Sequence, residues 1–71
     1  MTDNDLTIFN EAMQRIQREL QSPPAPVFTC TVLSGPISIT DEELISSAPT
    51  GYELYMSQSG DQHLLNAKKN S

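Results

Sequence analysis

Residues 52–67, Tyr-Glu-Leu-Tyr-Met-Ser-Gln-Ser-Gly-Asp-Gln-His-Leu-Leu-Asn-Ala, decide how this chain folds. Tyr52 to Gln58 alternates in the manner of a half-buried strand, and Gly60-Asp61 supplies a two-residue hairpin turn. If Ser59 pairs with Gln62, the register sets Leu54 opposite Ala67, Met56 opposite Leu65 and Gln58 opposite His63, all on one face. Tyr55 and Leu64 then fall on the other face, together with Glu53.

Upstream of the hairpin, Pro49, Thr50 and Gly51 close a short helix expected over 41–48. Its start is marked by Thr40-Asp41-Glu42-Glu43, a capping box in which the Thr40 hydroxyl bonds the Glu43 N–H while the Glu43 carboxylate reaches back. Ile39 and Leu44 hold the positions of a hydrophobic staple. Ser34-Gly35-Pro36 is a turn, followed by a short extended piece at Ile37 to Ile39. Val27 to Leu33 is rich in β-branched residues and reads as a strand, with Phe28, Cys30 and Val32 expected to point inward.

Pro23, Pro24 and Pro26 form a stiff connector that must end any helix near Ser22. Before it, Leu6, Phe9, Met13, Ile16 and Leu20 recur at spacings of three and four and draw one stripe along a helix over about 4–21. Asp3, Asn4 and Asp5 offer caps and negative charge at its start, and Glu11/Arg15 and Arg15/Glu19 are (i, i+4) pairs. The order is α-β-α-β-β. The expected fold is a small α+β, two-layer α/β sandwich in which an antiparallel three-stranded sheet carries the helices on one face. Residues 1–67 form one domain and 68–71 a flexible tail, and the strand order is left open.

A chain of 71 residues has room for one core. Cys30 is its only cysteine and His63 its only histidine, which excludes an intrachain disulfide and a Cys/His zinc cage. A lone cysteine and the lack of a signal-peptide pattern point to the cytoplasm. No stretch approaches the 18 or more apolar residues of a membrane span. The size suits a viral or bacterial accessory protein.

The formal charge of −5 is uneven, because residues 20–67 contain no Lys or Arg while Lys68 and Lys69 follow directly after them. Such a body repels phosphate backbones, so direct nucleic-acid binding is disfavoured and a basic protein surface is the better complement. Gly35, Gly51 and Gly60 are isolated and build no phosphate-binding loop. Asp41, Glu42 and Glu43 are explained by their place in a first helical turn, and Cys30 with His63 lacks a third orienting group. No catalytic residue, metal or cofactor is therefore expected.

What remains is a non-catalytic acidic protein-interaction module: a small regulator or inhibitor docking on a larger, basic-surfaced partner such as a nucleic-acid-processing enzyme. Asp41, Glu42, Glu43, Glu53, Tyr55, Asp61 and Leu64 are the expected contact residues, an acidic set with two apolar anchors. Two alternatives stand beside it. One is a winged-helix-like transcriptional regulator with the hairpin as its wing, although no basic recognition helix is present. The other is a structural subunit of an assembly, or a homodimer joined through Leu6, Phe9, Met13, Ile16 and Leu20, a stripe that Ile8 and Ala12 widen.

Overall fold

The structure is a computed structural model that describes residues 2–70. Helix α1 runs Asp3–Gln21, and its N-cap is Thr2, whose hydroxyl accepts the Asp5 N–H at 3.1 Å. The helix thus begins one residue before the expected start, with Asp3 and Asp5 in the first turn instead of at the cap. Helix α2, Asp41–Ser47, carries the expected capping box: the Glu43 N–H donates to Thr40 Oγ1 at 3.2 Å, and the Thr40 N–H donates to Glu43 Oε1 at 3.4 Å.

Three strands, β1 (Phe28–Val32), β2 (Tyr52–Ser59) and β3 (Gln62–Lys69), form one antiparallel sheet in the order β1-β3-β2. The α+β order α-β-α-β-β and the antiparallel sheet agree with the sequence reading. The hairpin register also agrees, with Leu54 opposite Ala67, Met56 opposite Leu65, Gln58 opposite His63 and Ser59 opposite Gln62. Gly60 takes φ 60° while, among the described residues, no non-glycine residue has positive φ, which puts the left-handed demand on the first turn position, as in a type II′ turn.

One core serves both helices. Phe9, Ala12, Met13 and Ile16 of α1 and Leu44 of α2 pack with Leu54, Leu65 and Ala67 of the sheet and with Leu33. Both helices therefore lie on the same face, and the stripe of α1 is largely consumed within the chain: Phe9, Met13 and Ile16 are buried, whereas Leu6 stays exposed. Tyr52 adds a tie by donating its phenolic O–H to the Pro26 carbonyl, which joins β2 to the proline connector.

Strand β1 corrects the sequence reading. Thr29 and Thr31 face the helices, while Phe28, Cys30 and Val32 lie exposed on the outer face. The cause is the central strand. Leu65 and Ala67 are completely buried, and pairing places Thr31 opposite Leu65 and Thr29 opposite Ala67, so those four share the inward side. Leu33, in phase with the two threonines, is the apolar residue of this segment that enters the core.

The expected tail is a second correction. Lys68 and Lys69 belong to β3, with Lys68 between Phe28 and Glu53 in the register. The Lys69 N–H donates to the Val27 carbonyl and the Asn70 N–H to the Gly51 carbonyl, both at 2.8 Å. A central strand has ladder partners on both sides, and these hold the chain end in the sheet. Ser71 lies outside the described residues.

The sheet's outer face carries no helix, and nine residues tile it in three rows: Phe28, Lys68, Glu53; Cys30, Asn66, Tyr55; Val32, Leu64, Ser57. At its centre Asn66 is buried but satisfied, donating through Nδ2 to Ser57 Oγ at 2.8 Å and to the Tyr55 carbonyl at 3.2 Å. Among the described residues no helix is long and apolar enough to cross a membrane.

Candidate functional site

Helix α2 has seven residues and two adjacent large apolar side chains, Leu44 and Ile45. Neighbours on a helix project about 100° apart, and on α2 one of the two is turned into the core and the other toward its flank. Leu44 takes the inward position, and Ile45 is left 75% exposed. Because α2 lies along β2, Ile45 stands over the outer edge of the sheet. There it lines a groove of about 480 Å³ with Ile39, Asp41, Tyr55 and Met56.

The groove gathers part of the sequence-predicted contact set. Asp41 and Tyr55 line it directly, and Glu42 is exposed on the same helix. Glu43 is committed elsewhere, since its Oε1 accepts both the Thr40 hydroxyl at 3.1 Å and the Thr40 N–H. Glu53 borders an adjoining hollow that it shares with Ile45 and Tyr52. It also stands opposite Lys68 in the register, whereas the exposed face of α2 that carries Asp41 and Glu42 holds no cation.

Two predicted residues lie apart from this gathering. Leu64 is half-buried on the outer face of the sheet between Val32 and Ser57, and Asp61 is exposed in the hairpin turn at the far end of β2. Ile45 was missed by the sequence reading. The sequence shows only that Ile45 adjoins Leu44 on α2; which of the two enters the core depends on where the sheet lies.

Cys30 and His63 are held on opposite faces of the sheet, Cys30 in the outer tiling and His63 beside Met56 and Ile37 on the helix side. The fold does not bring the two together. Among the described residues no three His, Cys, Asp or Glu side chains converge on a point where a metal ion could be held. The exposed residues of α2 are Asp41, Glu42, Ile45 and Ser46, without a cation among them.

In comparison with known proteins, the chain matches no family model, no curated protein and no solved structure.

Proposed function

We infer that this protein is a non-catalytic docking module, a small regulator or inhibitor that seats a basic-surfaced protein on the α2–β2 side of its fold. The observation that carries the reading is Ile45, 75% exposed between Asp41 and Tyr55. A large aliphatic group held in water by a capped helix, rimmed by carboxylates and a tyrosine, suits an apolar anchor with a cationic surround on the partner. Asp41 and Glu42 steer that partner, Ile45 and Tyr55 supply the contact, and Glu43 keeps the helix start in place. Glu53, Leu64 and Asp61 extend the contact only for a partner broad enough to reach around the sheet.

Burial of a whole isoleucine side chain is worth roughly 1.5–3 kcal/mol. The exposed fraction of Ile45 therefore represents about 1–2 kcal/mol, or roughly a tenfold change in affinity. The test is affinity capture of tagged protein from lysate at low and high salt, with wild type compared against Ile45→Ser and the double variant Asp41→Lys, Glu42→Lys. One dominant protein, lost at high salt and weakened about tenfold by either variant, is the expected result. Undiminished capture by both variants, or duplex DNA retained at moderate salt, overturns the reading.

A further inference from the structure

The two outer strands of the sheet are treated differently by the fold. Strand β2 has α2 packed along it, and its Tyr52 N–H is already taken by the Pro49 carbonyl at 3.0 Å. Strand β1 is bare. Its ladder to β3 fixes which backbone groups are free: Lys69 N–H donates to the Val27 carbonyl and Leu33 N–H to the His63 carbonyl. In an antiparallel pair the bonded residues alternate, so Val27, Thr29, Thr31 and Leu33 serve β3. The N–H and C=O groups of Phe28, Cys30 and Val32 point off the edge. Of these, the Val32 carbonyl receives a long bond of 3.4 Å from Arg15 Nη1, at one end of the strand.

Soluble proteins protect such edges with charged side chains, prolines within the strand, bulges, short strands or a covering helix or loop, and here α1 supplies Arg15 at one end. Residues 27–33 contain none of the first two, and the pairing of Phe28–Val32 with β3 runs without a bulge. Beside the edge lies a groove of about 240 Å³ between α1 and β1, lined by Arg15, Ile16, Arg18, Glu19, Cys30 and neighbouring threonines. Its rim carries both signs of charge, in a chain whose residues 20–67 hold no cation.

We propose that two copies of this chain pair through β1, antiparallel about a two-fold axis at Cys30, to make one six-stranded sheet. The free groups sit on alternate residues centred on Cys30, so the strand is its own complement. Phe28 of one copy meets Val32 of the other, Cys30 meets its counterpart, and about six main-chain hydrogen bonds can form, the two at the Val32 carbonyls sharing that acceptor with Arg15. Phe28, Cys30 and Val32 of both copies lie on the outer face, where the cross-strand neighbours are apolar. A two-fold contact brings each patch against itself, which a patch of one charge would resist. The mixed Arg15, Arg18 and Glu19 rim satisfies that condition by setting cations against carboxylates.

The area argument sets the strength. A standard stable interface takes about 800 Å² from each partner, about a sixth of the 4815 Å² surface of this chain. A five-residue edge about 17 Å long supplies part of that, and the α1 rims must supply the rest. The dimer is therefore reversible and concentration-dependent. It leaves the α2–β2 side free, since β1 and β2 are the two opposite margins of the sheet.

Sedimentation over a range of concentrations tests the pairing, with Cys30 as the reporter. The two Cys30 Cα atoms come within about 5.5 Å in such a pair, inside the reach of a disulfide or a short thiol cross-linker. The expected result is a monomer–dimer equilibrium, covalent dimer after mild oxidation, and a dissociation constant raised at least tenfold by Val32→Lys. That variant places its charge on an exposed edge position and keeps the monomer's circular dichroism. Cys30→Ser abolishes the cross-link but retains the reversible dimer. A monomer at every concentration overturns the proposal and leaves the β1 edge to a segment of another protein. A dimer indifferent to Val32→Lys and not linked through Cys30 also overturns it, and moves the contact to another surface.

Discussion

Leu64 and Leu65 are adjacent leucines of the central strand that face opposite sides of the sheet, and truncating each to alanine measures what each side contributes. Leu65 is 0% exposed, with Thr31 and Met56 as its register neighbours and the helices above it. Removing three buried carbons costs about 0.8 kcal/mol each before any cavity is counted, and buried Leu→Ala changes span roughly 2–5 kcal/mol. About 3 kcal/mol is expected for Leu65→Ala. Leu64 is half-buried on a face that no helix covers, so its loss leaves no closed cavity and costs about 1 kcal/mol.

For 71 residues a total stability of roughly 4–11 kcal/mol is ordinary, so Leu65→Ala removes a large share of it. In a domain this small each kcal/mol moves Tm by about 4–8 °C. Thermal and guanidinium unfolding followed by circular dichroism should therefore show a fall of about 12–24 °C for Leu65→Ala and about 4–8 °C for Leu64→Ala. An Leu65→Ala protein that is already unfolded at room temperature meets the same expectation. Equal losses, or a larger one for Leu64→Ala, would mean that the sheet presents its other face to the helices, and would refute the core assignment.

The inverted face of β1 has its own check. Thr31→Val should stabilise by about 0.5 kcal/mol through a methyl group added on the helix side, while Val32→Thr stays within about 0.5 kcal/mol of wild type. The opposite ranking in denaturant midpoints would restore the orientation that the sequence pattern alone suggests. Thr40→Ala removes the hydroxyl that caps α2 and should cost about 1 kcal/mol. Because α2 carries Asp41 and Ile45, amide exchange in 41–47 should rise with it, and unchanged exchange there would show that packing of Leu44 holds the helix without its cap.

Much of this architecture is legible in local sequence because local rules act over short distances. The capping box at Thr40 and Glu43 is satisfied within four residues of chain, and the 52–67 hairpin fixes its own register once Gly60-Asp61 turns. The stripe on α1 names its buried residues Phe9, Met13 and Ile16 from helical period alone. Leu6 departs from that stripe and Ala12 joins the core, because the arc actually covered depends on where the sheet lies. The candidate site was partly legible too. Asp41 and Tyr55 were nominated by charge and residue type, but Ile45 was not.

Residues 27–33 show where sequence stops. Both phases of Val-Phe-Thr-Cys-Thr-Val-Leu contain large apolar groups, so the segment specifies a strand without specifying its inward side. That choice belongs to β3, whose Leu65 and Ala67 select Thr29 and Thr31 as companions and leave Phe28, Cys30 and Val32 outside. The same central position holds Lys68 and Lys69 in the sheet where composition suggested a tail. By itself, then, the sequence determined element types, the hairpin register and the capping of α2, each governed by neighbours in the chain. The tertiary structure alone decided the strand order, the orientation of β1 and how far Ile45 stays uncovered, because these depend on contacts between residues distant in sequence.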